Sequence, residues 1–246
     1  MHLAFGLRAL LLSFACFVAA AAQGAPKVYK CAPCDSVCDL ATYDKPGMCP
    51  HCAMPLVTEP KKVAILVFNG VQIIDYTGPY EMFGAAGCEV FTVAATKDPV
   101  KTAMGMVVVP KYTFADAPKA DVLVIPGGNV GQAQEDPGTL QFIKQSNAQN
   151  QATLSVCNGA FILASTGLLD GLTVTTTRGN IPRLAKRFAK LKVVGERRYV
   201  DNGHIVTAAG LSAGIDGALH VIEKLLGTET AKQVAFAEEY AWVPQP

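Results

Sequence analysis

The chain reads as an α/β protein: a doubly wound parallel-sheet sandwich preceded by a small cysteine-rich, zinc-ribbon-like segment. Three observations predict this. From Lys61 onward, short apolar runs alternate with stretches of helical periodicity, the pattern of strands joined by crossover helices. Those runs are nearly continuous in valine, isoleucine and leucine, as expected of strands covered on both faces. Five of the eight cysteines crowd between Cys31 and Cys52, a span too short to build an apolar core without cross-links.

The elements follow in order. Residues 63–68 form a buried-strand run and residues 89–95 a second. Between them, residues 80–86 read as a short helix introduced by Gly78-Pro79. Residues 121–125 are a third strand, running directly into Pro126-Gly127-Gly128. Residues 137–150 are a helix whose proline occupies the first turn, where the missing amide costs nothing. Residues 153–156 lead into Cys157, and Gly159 opens a helical pattern that ends at Gly167. Residues 197–200 and 204–208 flank Asp201-Asn202-Gly203, a hairpin turn. Residues 212–226 and 229–240 supply two amphipathic helices.

Composition sets limits. With 246 residues, 50% of them hydrophobic, the chain can bury a sizeable core; with 17% charged and a net charge of +1, it has no broad field to attract nucleic acid or a membrane surface. The most basic stretch, Arg183 to Lys192, interleaves its charges with apolar residues at helical spacing and reads as a solvated helix face. The N-terminus is different. His2 and Arg8 precede the apolar residues 9–22, which end in small residues suited to cleavage, the signature of a secretory leader over residues 1–22. Left uncleaved, that run would act as an anchor. Cys16 lies inside it, but Phe14 is too bulky for a lipid-attachment box. No later stretch is long and apolar enough to span a bilayer, so the mature chain is expected to be periplasmic or secreted, without stable membrane insertion.

Cys31-Ala-Pro-Cys34 and Cys49-Pro-His-Cys52 have the spacing by which two knuckles present four thiolates to a tetrahedral ion, zinc or copper(I). Disulfides would hold residues 27–58 equally well in an oxidising compartment, with Cys38 as the odd thiol. His51 reads as an exposed knuckle residue. The stretch from Tyr29 to Leu56 resembles the short heavy-metal-binding domain appended to metal-efflux proteins. It departs from that pattern at Cys34 and Cys38, where the resemblance implies methionine and histidine, and at Ala53, which replaces a glycine.

In the main domain, Cys157 sits where a strand turns sharply into a helix, over the carboxyl edge of the sheet. Helix amides at that bend are expected to favour the thiolate and lower the thiol pKa; a buried core cysteine is the competing reading. The loops over residues 71–79, 126–129 and 157–158 are expected to converge there. Gly127 and Gly128 let the backbone approach a ligand, and the amides of Gly128 and Asn158 are the expected donors to a developing anion. Asp75, a carboxylate in an apolar stretch, must be solvated, paired or used. His204, His220, Glu81 and Asp216 read as structural, and Cys88 as core.

Asp75-x-x-Gly78-Pro-x-Glu81, Ile125-Pro-Gly-Gly128, Ser155-Val-Cys-x-Gly-Ala160 and Thr207-Ala-Ala-Gly-x-Ser-Ala-Gly-x-Asp216 together resemble the ThiJ/PfpI superfamily over residues 61–242. The nearest branch resembles the isonitrile hydratases and the ligand domains of AraC-type regulators. The resemblance implies a flavodoxin-like sandwich, a homodimer, and no cofactor for the main domain. It also implies Cys157 as nucleophile, with Asp75 as its approaching carboxylate. Asn158 stands where isonitrile hydratases carry threonine and peptidase-like members histidine, and Arg178 where relatives show histidine, so a Cys-His triad is not expected. The implied activity is hydration of an isonitrile-like small molecule to an N-substituted formamide. The alternative is a noncatalytic redox or metal sensor. A DNA-binding role is the least expected.

Overall fold

The computed structural model describes residues 28–31 and 37–244; the leader expected over residues 1–22 lies outside them. Seven strands form the main sheet: β1 (Lys62–Leu66), β2 (Glu89–Ala94), β3 (Tyr112–Thr113), β4 (Val122–Ile125), β5 (Ala152–Val156), β6 (Tyr199–Asp201) and β7 (Ile205–Ala208). Their order is β6-β7-β5-β4-β1-β2-β3. Every pair is parallel except the β6–β7 hairpin, which turns through Gly203-His204, the Asn202 amide donating to the Ile205 carbonyl at 2.9 Å. From β1 the chain winds outward to β2 and β3, then returns past β1 to β4 and proceeds the other way. The switch point therefore falls between β1 and β4, where the loops at the carboxyl edge diverge and leave a crevice.

Alternate side chains of each strand enter two separate cores, which explains the nearly continuous apolar runs. Val63, Ile65, Val122, Val124, Leu154 and Val206 pack under α1 (Ile73–Ala85), α5 (Ala213–Leu226) and α6 (Thr228–Ala237). On the opposite face Leu66, Phe91, Leu123 and Ile125 meet α2 (Pro137–Asn147), α3 (Gly159–Ser165) and α4 (Ile181–Arg187). Helix α2 starts where Asp136 accepts from the Thr139 amide at 2.7 Å, with Pro137 at the first position. The basic face of α4 is exposed around the single buried Leu184, as its interleaved charges suggest.

Helix α1 departs from expectation. The helix expected over residues 80–86 begins at Ile73, so the segment expected as a loop supplies its first turns, with Asp75 in the first turn and Pro79 inside. Gly78 is a packing position: a methyl there would lie 3.0 Å from Ile215 Cγ1, and its absence lets α1 close on α5.

Before the main sheet, strands Tyr29–Cys31, Thr42–Tyr43 and Leu56–Val57 pair antiparallel, with Tyr29–Cys31 in the middle. A single turn, Val37–Leu40, carries Cys38 inward. This small sheet faces α1 and α6 across a cleft lined by Met54, Pro55, Tyr80 and Val234. Among the described residues, no helix is long and apolar enough to cross a membrane.

Candidate functional site

The segments that leave β1, β4 and β5 meet at the switch point, as expected of residues 71–79, 126–129 and 157–158. Cys157 follows β5 directly and adopts φ +57°, a left-handed conformation that costs a non-glycine residue about 1 kcal/mol or more and must be imposed by its surroundings. Its amide donates to the carbonyls of Ala208 (3.1 Å) and Ala209 (2.9 Å), and its carbonyl accepts from Thr176 Oγ1 at 2.6 Å. These bonds hold the bend from both sides. The residue they hold is only 7% exposed.

Asp75 reaches the same point from the first turn of α1 and is fully buried. Its Oδ2 accepts from the Gly127 amide at 3.2 Å and its Oδ1 from the Leu211 amide at 3.1 Å, while the Cys157 thiol hydrogen-bonds to the carboxylate. Burial pushes the Asp75 carboxyl up to about 6, against those three hydrogen bonds.

The thiol behaves differently from the sequence expectation. Burial first, and the charge of Asp75 second, push Cys157 up to about 12, outweighing donation from the Asn158 amide and the Thr177 hydroxyl. Helix α3 is only seven residues long, and the field at its start is weaker than the cost of a second negative charge beside a buried carboxylate.

Gly127 is needed for the close approach. A methyl at that position would lie 2.4 Å from the Asn158 amide nitrogen, 2.8 Å from Cys157 Cβ and 2.9 Å from Asp75 Oδ2. Gly128 adopts φ +110° and crosses residues 70–72 in an isolated bridge to Val71. Its carbonyl accepts from Asn158 Nδ2 at 2.9 Å, and Asn158 Oδ1 in turn accepts from Asn180 Nδ2 at 2.8 Å. The Asn158 amide faces the Cys157 sulfur. Asn158 therefore ties the Gly127-Gly128 turn to the Arg178–Asn180 turn.

Two further contributors are absent from the sequence reading. Thr176 and Thr177 grip the carbonyl and the sulfur of Cys157. The loop after β7 supplies the Leu211 amide and passes close enough that a methyl on Gly210 would lie 3.4 Å from Cys157 Sγ. The run Thr175-Thr-Thr177 after a short strand was the available signal, since consecutive hydroxyls at a strand end are suited to holding a polar site. Beside these residues opens a crevice of about 960 Å³, lined by Thr176, Thr177, Gly210 and Leu211, with Arg178 and Arg197 exposed at its margin. That volume suits a small organic molecule.

The remaining residues singled out from the sequence are engaged elsewhere. His204 bonds the Asn147 carbonyl at 2.9 Å, and His220 stacks on Tyr199 and meets Asp201 at 2.9 Å. Asp216 is buried in the first turn of α5, bonded by the Arg198 guanidinium and by Tyr240 Oη at 3.0 Å. Glu81 is exposed on α1, and Cys88 is core, its thiol pushed up to about 12 by burial. In the N-terminal segment, the sulfurs of Cys31, Cys38, Cys49 and Cys52 lie within 4.8 Å of one another and could hold a metal. Cys34, the expected ligand, lies outside the described residues, and Cys38, the expected odd thiol, lies inside the cluster.

A family model described as the DJ-1/PfpI family matches residues 61–224. The chain is 36% identical to an isonitrile hydratase of Pseudomonas putida over 194 residues, 74% of this chain and 80% of that one. It is 28% identical to the Parkinson disease protein 7 homolog of Danio rerio over 188 residues, 71% of this chain and 94% of that one. Among solved structures, a ThiJ/PfpI family protein from Pseudomonas syringae superposes with a TM-score of 0.69 at 33% identity, covering 76% of this chain and 78% of that one. DJ-1beta of Drosophila melanogaster superposes with the same score at 21% identity, over 75% of this chain and all of that one, a likeness of fold.

Proposed function

The chain belongs to the DJ-1/PfpI family, and on that premise we propose that it is a cysteine-dependent hydratase converting a small isonitrile to an N-substituted formamide. The observation that carries this reading is the Asp75–Cys157 pair: a thiol on an enforced bend, hydrogen-bonded to a buried carboxyl that is raised to about 6. Such a pair stores one proton where a nucleophile and an acid are both required.

The cycle closes with those two groups and water. The thiol proton passes by way of Asp75 to the terminal isonitrile carbon while the sulfur bonds that carbon, giving a thioimidate and leaving Asp75 ionised. Asp75 then takes a proton from water as the hydroxide adds to the same carbon, and returns the proton to nitrogen. Collapse of the tetrahedral adduct breaks the carbon–sulfur bond and forms the carbonyl; the hydroxyl proton returns to the Asp75–Cys157 pair. One isonitrile and one water give one formamide. The amides of Asn158 and Gly128 serve as donors to charge that develops during these steps. The crevice beside Thr177 and Gly210 holds the substituent.

The leader signature of residues 1–22 supports action outside the cytoplasm, in the periplasm or after secretion. The test is turnover of a simple alkyl isonitrile, followed by formamide formation, in the native chain, Cys157→Ala and Asp75→Asn. Loss in both variants is expected. Turnover that survives in Cys157→Ala would overturn the reading.

A further inference from the structure

We propose that Cys31, Cys38, Cys49 and Cys52 form a closed tetrathiolate zinc site that folds the N-terminal segment. The proposal is independent of the chemistry at Cys157. A zinc ion with sulfur ligands at about 2.3 Å places those ligands roughly 3.8 Å apart. Here Cys31 and Cys52 are separated by 3.2 Å, Cys38 and Cys52 by 3.7 Å, and all four sulfurs lie within 4.8 Å of one another. Three local structures bring them together: the end of the Tyr29–Cys31 strand, the Val37–Leu40 turn, and the knuckle from Cys49 to Cys52.

Two features of the segment call for an ion. The first is its core. The buried cluster consists of Cys31, Cys38 and Cys49, with only Cys52, Met54 and Leu56 packed against it. Three strands of two or three residues around that cluster bury too little apolar surface to hold themselves. The second is the knuckle. The amides of His51 and Cys52 point at the Cys49 sulfur, and the Ala53 amide closes on the Cys49 carbonyl at 2.9 Å. Ala53 itself sits at φ +57°. That conformation costs an alanine about 1 kcal/mol or more and survives only where neighbouring structure over-determines it. An ion gripped by the flanking sulfurs supplies that constraint.

The donor set selects the metal. Four thiolates suit zinc, copper(I) or iron rather than a hard cation, and of these zinc alone has no redox state to lose in an oxidising compartment. The geometry also assigns the fourth ligand to Cys38, whose sulfur lies within the cluster.

The experiment is elemental analysis of the full chain, purified under mild reductant without chelator, alongside Cys34→Ser, Cys38→Ser and Cys49→Ser. About one zinc per chain is expected in the native protein and in Cys34→Ser, with loss in the other two. Far-ultraviolet circular dichroism establishes that the main domain of each variant is folded. Cobalt-exchanged native protein and Cys34→Ser should both show thiolate-to-metal charge transfer and tetrahedral d–d bands. Zinc retained in Cys38→Ser and lost in Cys34→Ser would overturn the ligand assignment. Bound iron or copper in place of zinc, or oxidised thiols with no ion, would overturn the site.

Discussion

Asp75 and Cys157 hold one proton between them from about pH 6 to about pH 12, because burial raises both groups and the charge of the carboxylate further raises the thiol. The two belong to different crossovers, α1 after β1 and the bend after β5, so the pair exists only in the folded chain.

Burial of the Asp75 carboxyl, which outweighs its hydrogen bonds to Cys157, Leu211 and Gly127, makes stability depend on pH in a direction opposite to most aspartates. Raised from 3.8 to about 6, Asp75 favours the folded state fully below pH 4, and the contribution is lost as pH rises through 6. The loss is about 3 kcal/mol at most. Urea midpoints of the native chain should therefore fall between pH 4 and 7 relative to those of Asp75→Asn. Parallel curves for the two proteins would contradict this.

Gly127→Ala should damage stability and site together. Its methyl has no room between Asn158, Cys157 and Asp75, and overpacking of this kind costs roughly 1–3 kcal/mol. A lowered melting temperature is expected, accompanied by a shift in the pH dependence of Cys157 alkylation; an unchanged profile in both would count against the packing described.

Thr177→Val removes a hydroxyl that donates to the Cys157 sulfur. The thiol should move further upward, and alkylation at pH 9 should slow by about 3- to 10-fold, corresponding to half to one pKa unit. Equal rates would show that the hydroxyl does not stabilise the anion.

Arg198→Ala should cost about 1–2 kcal/mol, because it strips a buried carboxylate of its ionic partner while the arginine itself is half exposed. Asp216 keeps only the Tyr240 hydroxyl. Chemical denaturation compared with the Arg198→Ala, Asp216→Asn double variant measures the pair, and the double variant should recover part of the loss.

The sheet was legible in the sequence because its strands are buried on both faces and need no alternation, so residues 63–68, 89–95, 121–125 and 153–156 announced themselves. The start of α1 was not. Gly78-Pro79 carries the local chemistry of a break, and only the approach of Ile215 from α5 reveals that glycine as a packing choice. Strand β3, two residues long, has no pattern to read and exists through its pairing with Val93 and Ala94. At the site, the meeting of Asp75, Gly127 and Cys157 followed from strand order. The direction of the thiol shift did not, because burial and a neighbouring charge are properties of the assembled crevice. Thr176, Thr177 and Leu211 reach the cysteine through segments whose course only the fold determines.

The main sheet ends in β3 on one side and in three-residue β6 on the other, the latter part of a closed hairpin. Neither border offers more than a few unpaired backbone groups, too little to template a foreign strand. The domain is therefore guarded against edge-to-edge polymerisation, and crowded solutions of it should stay free of fibrils.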